Sequence, residues 1–65
     1  LDPIYAPGTG NKEVGGLSSR EIIYFVKRLN KIKGLKAVDI VEINPKLDKD
    51  EITVNLGAKI LSEFL

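Results

Sequence analysis

The chain has no cysteine, no histidine, no methionine and no tryptophan. Without cysteine there can be no disulfide, thiolate metal site or thiol redox centre. Without histidine, the commonest general base and the commonest transition-metal ligand are both missing. Aromatic residues make up only 6% of the sequence, and none interleave with its basic residues as stacking platforms for nucleic-acid bases would. An excess of one charge is also lacking. Ten Lys and Arg against nine Asp and Glu leave a net charge of +1, so the overall field selects no polyanionic partner. No apolar run approaches the roughly 20 residues needed to span a membrane, and no signal-peptide pattern opens the chain. A domain of 65 residues without staples is limited to roughly 3–5 kcal/mol of stability. A chain that begins at Leu1 and contains no methionine is expected to be processed, cut or partial.

Turn formers crowd residues 1–17: Pro3, Pro7, Gly8, Gly10, Gly15 and Gly16. They predict a loop, and an irregular loop of that length is usually functional or disordered. Ser18-Ser19-Arg20-Glu21 reads as a capping box, with Ser18 accepting from the Glu21 amide and Glu21 reaching back. Ile22, Ile23, Val26, Leu29 and Ile32 follow at helical spacing, with Phe25 beside them. Lys31 and Lys33 suit the negative end of a helix and Gly34 is a natural stop, so a helix is predicted over 19–33. Residues 36–43 are rich in β-branched side chains and end at Asn44-Pro45, which predicts a buried, parallel strand. The recurrence of Ile60, Leu61, Phe64 and Leu65 predicts a second helix over 51–65, capped by Asp48 or Asp50. The order is loop–helix–strand–helix, an α/β pattern. Its single parallel strand has no partner within the chain, so the sheet needs strands from elsewhere.

Two apparent motifs carry no chemistry. The glycine-rich loop fails as a phosphate cradle. Gly8-Thr9-Gly10 lacks the third glycine of a dinucleotide fingerprint, and Gly16-Leu17 stands where a P-loop needs Lys-Ser/Thr. Lys27, Arg28, Lys31, Lys33 and Lys36 fit the solvated face and C-terminal turn of the helix better than a nucleic-acid patch. Asp39 and Glu42, three apart on a strand, point to opposite faces and are not expected to share a site directly. Asp39 reads as a structural acceptor. Glu42 stands at the C-terminal end of the expected strand, where open α/β sheets bind ligands. A carboxylate placed there is costly to bury without a partner, so Glu42 is the candidate to receive a cation.

Read in order, Leu1-Asp2-Pro3, Ala6-Pro7-Gly8-Thr9-Gly10, Gly15-Gly16-Leu17, Ser18-Ser19-Arg20-Glu21 and Asp39-Ile40-Val41-Glu42-Ile43-Asn44-Pro45 resemble the C-terminal part of the ureohydrolase family. That family includes agmatinase, arginase and formimidoylglutamase, and the loop, the helix start and the ending Ser62-Glu63-Phe64-Leu65 are more similar to agmatinase. The resemblance implies a three-layer αβα fold with a mainly parallel sheet, of which this chain is the helix–strand–helix portion. It implies a cytoplasmic, oligomeric hydrolase that releases urea from a small guanidino substrate, with two Mn2+ ions per active site. Their ligands, aspartates and histidines, would lie outside this chain. Glu42 matches the family's guanidinium-binding glutamate, and Thr9, Gly10 and Asn11 match the pocket wall. Asp2 matches an aspartate that supports the turn before Pro3. Asn11-Lys12 replaces the family's usual Thr-Pro, which bears on substrate preference or rate. Arginase or another guanidino-acid hydrolase is the alternative, and a non-catalytic interaction module is the rival of another class. The remainder of the parent domain is the expected partner; nucleic acid and membrane are not.

Overall fold

The computed structural model describes residues 1–65. It contains two helices, α1 (Ser19–Leu29) and α2 (Ile52–Glu63), and a single 3₁₀ turn at Pro45–Leu47. The helices pack against each other, and the start of α1 is set by local chemistry. The Ser18 hydroxyl accepts from the Glu21 amide at 3.1 Å, and the Glu21 carboxylate accepts from the Ser18 amide at 2.9 Å, which is the expected capping box. At the other end the helix stops four residues short of the expected boundary, with Asn30 as its C-cap. The backbone tightens into i→i+3 bonds, Lys31 to Arg28 and Ile32 to Leu29, which satisfy the last carbonyls of α1. Asn30 then donates its side-chain amide to the Glu63 carbonyl at 2.7 Å, tying the end of α1 to the end of α2. Lys27 and Arg28 occupy the last turn of α1, in place of Lys31 and Lys33.

The expected strand over 36–43 is absent: the segment forms no ladder and no regular element. Residues 31–42 are all exposed, so the run is not buried either. The reason is non-local. A strand is stabilised by hydrogen bonds to a neighbour, and this chain offers none. The backbone also leaves the β region at Glu42, where φ is +70°.

The glycine-rich segment 1–17 has no regular element but is tied at its base. The Asp2 amide donates to the Leu17 carbonyl at 2.9 Å, and the Asp2 carboxylate accepts from Ile4 at 3.0 Å and from Gly15 at 3.1 Å. A Cβ on Gly16 would lie 2.6 Å from the Leu1 carbonyl carbon, so only glycine permits this approach. Asp2 thus supports the turn, as its position before Pro3 suggests. Backbone amides from Ile4, Gly15 and Gly16, led by Ile4, hold its carboxyl below the ordinary value against some desolvation.

Little of the chain is sealed from solvent. Ala6 and Val26 are its only buried apolar residues beyond glycine, and Val41 is 65% exposed. The accessible surface is 5175 Å². A compact monomer of this mass exposes about 4,100 Å². Many large apolar residues remain uncovered, including Val38, Ile40 and Val41 of the expected strand. No helix is long and apolar enough to cross a membrane.

Candidate functional site

A cleft of about 490 Å³ opens between segment 1–17, residues 40–43 and α2. Thr9 and Asn11 line it from the loop, Glu42 from the central segment, and Thr53, Leu56 and Gly57 from α2. Three of the four residues singled out from the sequence therefore share one cavity. Gly10 is outside its lining, and nothing lies within 4 Å of where its Cβ would be, so it makes no close approach of its own.

The cleft is held together by the backbone of one residue. The Gly8 amide donates to the Thr53 hydroxyl at 2.7 Å, a buried bond, while the Gly8 carbonyl accepts from the Asn44 amide at 2.7 Å. Gly8 thereby fixes the loop carrying Thr9 and Asn11 to α2 on one side and to the Glu42–Asn44 segment on the other. Space demands the glycine: a Cβ would lie 2.9 Å from Cβ and Cγ of Asp48 and 3.0 Å from Thr53 Oγ1. Ile43 packs on the second glycine of the cleft, its Cδ1 only 2.6 Å from where a Cβ on Gly57 would stand.

Asp48 anchors the helical side. The N-cap of α2 is Glu51, in the left-handed region at φ +59°, and it makes no side-chain capping bond. Asp48 serves instead, accepting from the Thr53 amide at 2.9 Å and the Val54 amide at 3.0 Å. Of the two residues proposed for this role, Asp48 makes the bonds. Desolvation pushes its carboxyl up, but the Thr53, Val54 and Lys49 amides and the Thr53 hydroxyl outweigh it and hold the pKa below 3.8.

Glu42 differs from these structural carboxylates. Its carboxylate makes no ion pair and no hydrogen bond: the chain's one ion pair is Lys59–Glu63 at 3.9 Å. Its backbone is held at φ +70°, which is strained for a residue with a Cβ and recurs at ligand-binding positions. A free carboxylate on a cleft wall suits a cation with several N–H donors. A second cleft of about 570 Å³, between α1, α2 and Ile4-Tyr5, has the opposite character. It is lined by Arg20 and Lys59 and by no carboxylate, so it does not suit a cation.

Sequence reasoning missed Gly8, Thr53 and Gly57 as parts of this site. A signal existed for the last two. Thr53, Leu56, Gly57 and Ile60 recur at i, i+3, i+4 and i+7, the spacing of one helix face, and all line the cleft. The residues present do not fit a metal centre. No group of three or more His, Cys, Asp or Glu side chains could hold an ion, and the oxygens of Asp2 and Asp48 are taken by backbone amides.

A sequence model of the arginase family matches residues 1–65. The chain is 39% identical over 66 residues to the agmatinase of Bacillus subtilis (strain 168), covering 100% of this chain and 23% of that protein. It is 46% identical over 62 residues to arginase-1 of Rattus norvegicus, covering 92% of this chain and 19% of that protein. Among solved structures, a hypothetical agmatinase from Burkholderia thailandensis superposes with a TM-score of 0.90 at 40% identity, over 97% of this chain and 20% of that one. The arginase of Bacillus caldovelox superposes with a TM-score of 0.91 at 31% identity, over 98% and 21%. The chain thus spans about a fifth of the length of these relatives. On sequence and on backbone alike, the chain belongs to the arginase family.

Proposed function

We propose that this chain supplies the guanidinium-receiving wall of a ureohydrolase active site, with Glu42 as the receptor and Thr9 and Asn11 beside it. The carrying observation is the unpaired Glu42 carboxylate in one cleft with both. A guanidinium is planar and presents forked N–H donors, and a carboxylate accepts two of them side by side. Such a pair gains strength as substrate displaces water from the cleft. Thr9 and Asn11 offer a hydroxyl and a side-chain amide for the remaining donors and acceptors of the substrate. Gly10 joins the two in sequence without lining the cleft.

The proposed parent enzyme is an agmatinase, hydrolysing agmatine to putrescine and urea. Its single αβα domain would use residues 1–65 as the C-terminal part, with 1–17 as the active-site loop. The exposed Val38, Ile40 and Val41 support this, because another part of that domain would cover them. Manganese enters the proposal as a group held by residues outside this chain, and no step assigned to this chain runs through it. The parent is also proposed to be a homo-oligomer. Identity of 46% to an arginase favours a second reading, in which the substrate is arginine or another guanidino acid. Comparing turnover of agmatine and arginine by the intact hydrolase separates the two.

The test of the site is Glu42→Ala in the intact hydrolase. The expected result is a higher KM, a lower kcat and kcat/KM down on the order of 100-fold, with manganese content unchanged. Wild-type turnover in this variant would remove Glu42 from the site.

A further inference from the structure

The strained backbone at Glu42 needs something to hold it, and two tethers stand immediately after it in sequence. Ile43 is seated on Gly57 of α2, and the Asn44 amide is bonded to the Gly8 carbonyl at 2.7 Å. Gly8 is in turn bonded through its amide to Thr53 Oγ1 at 2.7 Å, and Thr53 is only 4% exposed. The first turn of α2, which carries Thr53, is bonded to Asp48 through the Thr53 and Val54 amides. The chain of bonds runs from Asp48 through Thr53 and Gly8 to Asn44, two residues from Glu42. The same Gly8 is adjacent in sequence to Thr9, which also lines the cleft.

We infer that Thr53 is a positioning residue for guanidinium recognition: its buried hydroxyl, acting through the Gly8 peptide, sets the Glu42 carboxylate relative to Thr9 and Asn11. The inference rests on the reading of Glu42 given above, and it adds a residue whose hydroxyl is committed to the Gly8 amide. Valine has the shape of threonine but no hydroxyl, so Thr53→Val leaves the buried Gly8 amide without an acceptor. Serine keeps the oxygen. The loss therefore falls on the geometry of the cleft, and it is rescued by the conservative change. A purely structural role for Thr53 predicts a lower melting temperature and unchanged recognition.

The experiment measures competitive inhibition of urea release by guanidinium chloride, in the intact hydrolase, for Thr53→Val, Thr53→Ser, Gly57→Ala and Glu42→Ala. The inhibition constant is expected to rise about tenfold in Thr53→Val and to stay near wild type in Thr53→Ser. Gly57→Ala works on the other tether. Its Cβ displaces only the flexible tip of Ile43, so the variant folds, and its inhibition constant is also expected to rise. Should Thr53→Val fail to fold, Thr53→Ala, which removes the same hydroxyl, is read in its place. If the folded variants bind guanidinium like wild type while Glu42→Ala binds it weakly, the positioning role is overturned and the Glu42 reading stands. If Glu42→Ala also binds guanidinium like wild type, the Glu42 reading falls and takes this inference with it.

Discussion

Replacing Gly8 with alanine adds one methyl group where the structure has no room for it. The new Cβ would lie 2.9 Å from Cβ and Cγ of Asp48 and 3.0 Å from Thr53 Oγ1. Neither neighbour can simply rotate away. Asp48 is held by the amides of Lys49, Thr53 and Val54, and Thr53 is buried and bonded to Gly8 itself. The backbone of the loop must therefore withdraw from α2. Overpacking of this kind costs about 1–3 kcal/mol. Stretching the Gly8–Thr53 bond adds about 1 kcal/mol, for a total near 2–4 kcal/mol. The control is Gly10→Ala, two residues along the same loop. Its Cβ meets nothing within 4 Å and its φ is outside the left-handed region, so its effect stays within about 0.5 kcal/mol. Both variants are made in the proposed full-length hydrolase and unfolded in urea, with KM measured in parallel. Gly8→Ala is expected to lose stability and to raise KM, because the loop it displaces carries Thr9 and Asn11. Equal unfolding midpoints for the two alanine variants would refute the packing argument.

The acid limb of stability tests Asp48. Its folded pKa lies below 3.8, so its contribution is present above that value and is lost as pH falls through the folded pKa. Asp48→Asn is expected to be less stable near neutrality and to lose less on going from about pH 6 to about pH 2.5; an acid limb as steep as wild type would sink the assignment. Glu42→Gly separates strain from recognition. Glycine accepts φ +70° freely, so this variant should be more stable than Glu42→Ala by about 1 kcal/mol while binding guanidinium no better. Equal stability of the two would show that the backbone at 42 stores no strain.

What could be read from the sequence was local. The capping box at Ser18 and Glu21, the start of α1, a cap of α2 by Asp48 or Asp50 and the turn at Asp2-Pro3 all depend on groups within a few residues of one another. Short-range hydrogen bonds decide them, and the structure has all four. The strand over 36–43 depends on something else. Its β-branched composition is a preference for a pleated, half-buried surface, and that surface must come from neighbours. The end of α1 fell early for a related reason: Asn30 is drawn to the Glu63 carbonyl, thirty-three residues away, and no local pattern reports that. The site divides the same way. Glu42 is proposed from its position and, with Thr9 and Asn11, from the resemblance, whereas the Gly8–Thr53 bond joins residues 45 apart and has no sequence signature.

The left-handed backbone at Glu42 bears on how the exposed segment joins a sheet. A strand from the rest of the proposed domain can pair only with backbone in the β region. Pairing can therefore recruit residues 36–41, covering Val38, Ile40 and Val41, but it must stop where φ reaches +70°. Glu42 then stands just past the end of the ladder, with Ile43 and Asn44 already committed to Gly57 and Gly8. Its carboxylate is kept out of the sheet's own hydrogen bonding and left for the cleft. The same feature that prevents this chain from continuing a strand through residue 42 would place the carboxylate at the strand end in the assembled domain, which is where ligands of open α/β sheets bind.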